Sequence, residues 1–236
     1  MKPTCKNLWL VFLSLSMGLA FSACDDDDEE TDDDIQSVTI SGDVADAVDM
    51  GTSVKWAKWN LGASRPEQYG VYFAWAESAP KTSYNWESYK WGNMDALTKY
   101  SNCSDFGVVD NKMTLEKRDD AASVNWGGKW RTPSADEWKE LKEKCSWTWT
   151  TDYEGTGICG YAVTNTASGN SIFLPAAGFM SDEQLVNAAD HGYYWSSSLY
   201  QTSSIGACDT DFSDNWVGAN NYHFRILGYS IRPVMP

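Results

Sequence analysis

The apolar positions of the chain change period twice. In SVKWAKWNLGA, residues 53–63, Val54, Trp56 and Lys58 alternate with Lys55, Ala57 and Trp59, a period of two that predicts a strand ending at Gly62. The stretch TLEKRDDAASVNWGG predicts a helix around residues 114–124, closed by Gly127 and Gly128. TPSADEWKELKEKC carries the strongest helical pattern: Thr132 or Ser134 can cap it, Glu137 completes a capping box with Ser134, and Trp138, Leu141 and Cys145 share one face. Beyond residue 146 the period returns to two, apart from a short turn at DEQLVNAAD, in SIFLPAAG, YYWSSS, IGACDTDF, YHFRI and GYSIRPV. Helices followed by an antiparallel run with long loops predict an α+β fold.

Local punctuation refines this order. GTGICG, residues 155–160, fits G-x-G-x-x-G, but a strand-like YAVTNT follows it where a dinucleotide site needs a helix. Gly155, Gly157 and Gly160 are therefore expected to shape a hairpin turn between WTWTTDY and YAVTN. GYSIR around Ser230 lacks the second glycine of a nucleophile elbow, and H-E-x-x-H is absent. The residues form no catalytic constellation and imply no cofactor. Cys103, Cys145, Cys159 and Cys208 allow three complete disulfide pairings, with buried free thiols as the alternative. None of the four lies in a C-x-x-C pair and only His191 and His223 are present, which argues against a metal site.

Charge is concentrated at one end. Nine of the ten residues 25–34 are acidic, and without them and the two leader lysines the chain has 24 acids against 16 bases, a charge of about −8. That balance, with no basic cluster among aromatics, excludes nucleic acid as a partner. The acidic run has no glycine before Gly42, so it is no EF-hand loop. Like charges at this density repel and stay extended, which suits a solvated tether.

In front of the run, Lys2 and Lys6 precede LWLVFLSLSMGLAF, residues 8–21, a stretch of fourteen that suits a signal peptide better than a membrane span. The following Ser22, Ala23 and Cys24 resemble the lipobox of bacterial lipoproteins, with Phe21 standing where that pattern prefers an aliphatic residue. The resemblance implies cleavage before Cys24 and its acylation, several chains giving stable anchoring. The acids after it are similar to the signal that routes Bacteroides-type lipoproteins to the outer face of the outer membrane. The expected organisation is a signal peptide over 1–23, lipidated Cys24 with an acidic tether over 24–37, and a single domain over 38–236.

Six blocks in order, DMGTSVKWAKWNLGAS, YGVYFAWAE, DDAASVNWGGKWRTPSADEWKEL, FLPAAGF, YYWSSS and GYSIRPV, resemble the Fibrobacter succinogenes major paralogous domain family, over roughly residues 46–236. The resemblance implies a C-type-lectin-like fold: two helices, small mixed or antiparallel sheets, long loops, and first and last strands paired, so that SVKWAKWNL lies beside GYSIRPV. The blocks read as frame, with Arg232 expected to tie the last strand to a buried carboxylate or carbonyl.

Function is then expected between the frames, in residues 199–227. By similarity to lectin-like variable proteins, ligand-facing side chains precede a closing G-x-S-x-R strand. Tyr200, Asn215, Trp216, Asn220, Asn221, Tyr222, His223 and Arg225 there combine rigid aromatics with adaptable amides, a mixture suited to sugar rings or a protein loop. The alternative for DN and NN is that they close hairpins. The E-P-N and W-N-D triplets of calcium-dependent lectins are absent. The leading expectation is a non-enzymatic adhesion module on the outer membrane, held by its lipid anchor and binding an extracellular glycan or protein. Two alternatives stand beside it: a relative of the formylglycine-generating enzymes, which use a copper-binding cysteine pair, and a structural subunit of a surface fibre or pilus.

Overall fold

The computed structural model describes Ile40 and residues 42–236, so the leader, Cys24 and the acidic run lie outside the described residues. The chain is α+β, with two α-helices and several small antiparallel sheets. Strands β1 (Ala47–Asp49) and β2 (Lys55–Ala57) pair first. A long, largely irregular segment follows, whose regular pieces are the short hairpin of β3 (Gly92–Asn93) and β4 (Ala96–Leu97) and single 3-10 turns at Ser104–Phe106 and Lys117–Asp119. After helices α1 (Ala121–Trp126) and α2 (Ala135–Lys144) come three antiparallel strands, β5 (Cys145–Thr150), β6 (Gly160–Asn165) and β7 (Ser171–Pro175). A two-stranded hairpin, β8 (Phe179–Ser181) with β9 (Gln184–Val186), leads into a second three-stranded sheet of β10 (His191–Leu199), β11 (Gly206–Ser213) and β12 (Trp216–Phe224). Finally β13 (Val234–Met235) returns to pair with β2, placing Val234 opposite Trp56.

Local sequence explains much of this. The Ser134 side chain accepts from the Glu137 amide while Glu137 accepts from the Ser134 amide, the reciprocal capping box expected of α2. Trp138 and Leu141 are buried on its inner face. The glycines after Thr151 close the β5–β6 hairpin, in which Thr150 faces Gly160, and both Gly155 and Gly157 have φ near +75°.

The first helix is shorter than expected. Residues 114–120 do not join α1, because their acids are engaged elsewhere: Asp119 is buried against Lys99 and the Tyr100 hydroxyl, and Asp120 caps α1. Asp120 also accepts from the backbone and hydroxyl of Thr132, so one buried carboxylate joins both helix starts. The predicted turn at DEQLVNAAD contains β9. The strand predicted over 53–62 spans three residues, after which the backbone makes single contacts with the C-terminal segment, Leu61 N–H donating to Ile231 O at 2.9 Å.

Among the described residues the two largest of four buried clusters are aromatic. In one, Trp56 lies 4.7 Å from Trp138, itself 5.7 Å from Tyr194, above the apolar faces of β6 and β7. In the other, Trp75, Tyr100, Trp195 and Tyr229 pack together. The buried indoles are satisfied by backbone: Trp75 donates to Ser196 O, Trp138 to Trp195 O and Trp195 to Phe73 O.

Arg232 ties these parts. Its side chain is fully buried and donates to Asn60 Oδ1 (2.8 Å), Ala57 O and Lys58 O (3.1 Å each) and Phe173 O (2.7 Å). The partners are carbonyls and an amide, with no carboxylate among them. Burial accordingly pulls the guanidinium down to about 10, still protonated at neutral pH. Replacing it leaves several buried acceptors unpaired, each costing about 1–3 kcal/mol. Arg232→Met is expected to lower the unfolding free energy by at least about 3 kcal/mol, and Arg232→Lys to restore only part, because ammonium cannot span the fork. Urea titrations of both variants measure this; a loss below 1 kcal/mol would remove Arg232 from its central place.

Candidate functional site

The site begins with alternation in GACDTDFS. On β11, Cys208, Thr210 and Phe212 point one way, and Phe212 packs 5.3 Å from Tyr161 in the core. Asp209 and Asp211 take the other face, opposite Trp195 and Tyr193 of β10. The edge strand β12 completes that face: His223 Nδ1 lies 2.7 Å from Asp209 Oδ2, and Asn221 donates its amide to Asp211 Oδ1.

Two turns in the β11–β12 hairpin shape the edge. Ser213 pairs with Trp216 across the two residues Asp214 and Asn215, and the Ser213 hydroxyl donates to Asn215 Oδ1 at 3.3 Å. Further along, Asp209 pairs with Asn221 and Thr210 with Ala219, which leaves Asn220 as an extra residue with φ +65°. This is a β-bulge with asparagine in the left-handed position that glycine usually takes.

The bulge turns side chains from both faces toward one cleft of about 520 Å³, lined by Tyr200, Asp211, Trp216, Asn220, Asn221, Tyr222 and His223. Tyr200 and Tyr222 stack in parallel, centroids 4.0 Å apart. Trp216 is 46% exposed, and its ring lies over Gly218, where an added Cβ would meet the indole at 2.5 Å. A side chain at 218 would therefore displace the indole. Six of the eight predicted ligand-facing residues thus meet in one place. Asn215 does not line the cleft and closes the hairpin tip instead.

Arg225 also falls outside, and for a definite reason. It is fully buried, donating to the Tyr89 hydroxyl (2.6 Å) and to the carbonyls of Tyr100, Ser204 and Lys99 (3.0–3.1 Å). Its guanidinium carbon lies 5.0 Å from the Trp75 ring centroid. Its donors bind the interior, so it roots β12 and faces no ligand. The sequence reading missed Asp211, although two acids spaced by two within an apolar strand mark one polar face.

The electrostatics are unusual for a sheet. Burial lifts Asp209 to about 6 against the opposing pull of His223. Burial also raises Asp211, with the Asn221 hydrogen bond opposing. For His223, burial pulls down, but the Asp209 hydrogen bond and the charges of Asp209 and Asp211 outweigh it and raise the imidazole. Among the described residues His191 Nδ1, Asp209 Oδ1, Thr210 Oγ1 and the Tyr229 hydroxyl are buried without a hydrogen-bond partner.

The cysteines are not part of the cleft. Cys103, Cys145 and Cys208 are free thiols, so no bond joins any two of the four candidate cysteines. Cys145 points at Met50 O and Cys208 at Leu199 O, in different surroundings. Burial raises both thiols, Cys208 to about 11, the reverse of an activated nucleophile. Among the described residues no group of three or more His, Cys, Asp or Glu could hold a metal ion, and no helix is long and apolar enough to cross a membrane. No protein-family model, curated protein or solved structure matches this chain.

Two outcomes are expected. Both Asp209 and His223 have raised native pKa values, so their stabilisation is full below the unfolded values and is lost as pH rises through the folded ones. Stability relative to Asp209→Asn should fall by up to about 3 kcal/mol as pH climbs from 4 to above 6.5. Urea unfolding of both proteins at intervals across that range measures it, and parallel pH profiles would show the pair is not proton-linked. Alkylation of the native protein at pH 8 should modify Cys103, which is partly exposed, and reach Cys145 and Cys208 only after denaturation; mass mapping of the modified peptides reads this out.

Proposed function

We propose that this chain is a non-enzymatic binding module of C-type-lectin-like fold, carried on the outside of a bacterial outer membrane and recognising a glycan or an extracellular protein. The observation that supports it is the gathering of two exposed aromatics, two asparagines and a histidine around one cleft on the β12 edge. Soluble domains bury large aromatics where they can, so Trp216 and Tyr222, each about half exposed, stand out beside the other described tryptophans, all of them buried or partly buried. Rigid rings supply contact area at small entropic cost, while the amides adapt to hydroxyls or peptide groups. The pairing of β13 with β2 favours the fold reading, since it sets the last strand beside one of the first two described strands.

The leader supports the location. A lipidated Cys24 followed by an acidic spacer would hold the domain away from the membrane. Buried cysteines with raised thiols give no foothold to a copper-dependent cysteine pair, so the enzymatic alternative gains no support.

Screening the full chain against glycans and extracellular proteins is expected to yield a ligand whose affinity drops at least about tenfold in Trp216→Ala and in Tyr222→Ala, as for central aromatic contacts. Both side chains are exposed, so both variants should keep the parent's unfolding midpoint. Undiminished binding in both would move the interface off the hairpin. A self-associating chain with no other ligand would instead favour the fibre subunit.

A further inference from the structure

A second cleft, of about 340 Å³, lies beyond the other end of β12, lined by Trp86, Glu87, Tyr89, Gly92 and Asn93. Phe224 of β12 stands between it and Tyr222, which lines the first cleft. Tyr222 and Phe224 follow each other at i and i+2 on one face of the strand, about 7 Å apart by strand rise. Phe224 is 48% exposed, and its ring lies 6.3 Å from that of Trp86. Trp86 in turn stands edge-on to Tyr89, whose hydroxyl holds Arg225, so the far end of the row is fixed to the core. Trp216, Tyr222, Phe224 and Trp86 thus mark one edge. Because the bulge takes up one residue, the ladder between Trp216 and Phe224 matches Gly206–Ser213 of β11 and at about 3.3 Å per residue spans roughly 23 Å.

The chemistry of this edge narrows what can lie on it. The polar groups available are Asn220, Asn221, Asn93 and the His223 imidazole, whose Nδ1 is engaged by the buried Asp209 carboxylate, with further carboxylates at Asp211 and Glu87, and among the described residues no lysine or arginine lines either cleft. The nearest arginine, Arg225, is buried and internally bonded. Such a lining repels sulfated or carboxylated polymers and suits hydroxyl groups, which donate to carboxylates and exchange hydrogen bonds with amides while ring faces stack on aromatics. A protein strand adding to the edge of β12 is disfavoured by the Asn220 bulge, which interrupts the free ladder midway.

We propose that the two clefts are successive subsites for one neutral oligosaccharide chain laid along the β12 edge, with Phe224 and Trp86 as the platform beyond the first subsite. This rests on the binding reading above and extends it from a cleft to a track. A single sugar would fill only the first cleft, whereas a chain would reach both.

The test uses the full chain and neutral gluco-, manno- and xylo-oligosaccharides of one to six units, with heparin and hyaluronan as polyanionic controls, measured by calorimetry. For the series that binds, affinity should rise at least tenfold from the disaccharide to the hexasaccharide. Phe224→Ala and Trp86→Ala should each weaken the hexasaccharide roughly three- to tenfold and leave the disaccharide unchanged, whereas Trp216→Ala should weaken every length. Phe224 is the more exposed of the two, so its variant decides the matter if Trp86→Ala unfolds. Length-independent affinity sensitive to Trp216 alone would overturn the track and keep the single-cleft module. Tighter binding of the polyanions, or binding only to a protein, would overturn the neutral-glycan class while leaving a binding module. No binding to any of the sugars overturns the inference outright.

Discussion

A guanidinium without a counter-ion holds this fold together. Arg232 sits among four oxygens, three of them backbone carbonyls, that belong to the end of β2, the residues just after it, and β7. Carbonyl dipoles can satisfy a buried cation only if they converge from several directions, so the arginine fixes the relative positions of strands far apart in sequence. Asn60 carries the constraint onward: its oxygen accepts from Arg232 and its amide donates to Tyr69 O and the Tyr194 hydroxyl. The C-terminal segment, the β1–β2–β13 sheet, the β5–β7 meander and β10 meet at this side chain.

Arg225 repeats the device seven residues earlier. It draws the end of β12 onto the irregular segment around Lys99 and Tyr100, where a buried Lys99–Asp119 pair and the Tyr100 hydroxyl already form a network. The hairpin therefore has a root at Arg225, a core contact at Phe212 and a free edge between them. Precise placement of recognition side chains needs such a base, because rings on a mobile loop would lose rotational freedom on every binding event. The stacked Tyr200–Tyr222 pair extends the same logic, with one ring holding the other.

What the sequence revealed follows from how local each cause is. The capping box at Ser134 and Glu137, the β5–β6 hairpin and the alternating strands were legible, since each needs only neighbours within a few residues. The α1 boundary was misread because Asp119 and Asp120 are claimed by Lys99, Tyr100 and Thr132, partners that no local window contains. Arg225 was placed among ligand residues for the same reason: it lies in the interval before the closing strand, and only the surrounding aromatics and carbonyls show that it points inward. The segment 199–227 itself was singled out by its resemblance to the stretch before the closing strand of lectin-like variable proteins, and its aromatics and asparagines then marked the candidate residues. Its bulge was not found, because asparagine at φ +65° has no signature separate from an ordinary turn.

The acids of β11 argue most directly that this face serves something other than stability. Asp209 is 1% exposed, has one oxygen unpartnered, and shares its other with an imidazole. A buried ion pair recovers its desolvation cost only with all its hydrogen-bonding capacity filled, and apolar residues at such positions usually stabilise more. On the opposite face Cys208 and Phe212 are buried in the core beside Thr210, whose hydroxyl is also buried without a partner among the described residues, so the strand places a charged group only on the Asp209 and Asp211 side. Local conflicts with foldability concentrate where a protein does its work. The Asp209–His223 and Asp211–Asn221 pairs hold two cleft side chains, His223 and Asn221, in fixed orientations on the edge strand. Their cost to the sheet is then the cost of keeping a polar surface ordered before anything binds to it.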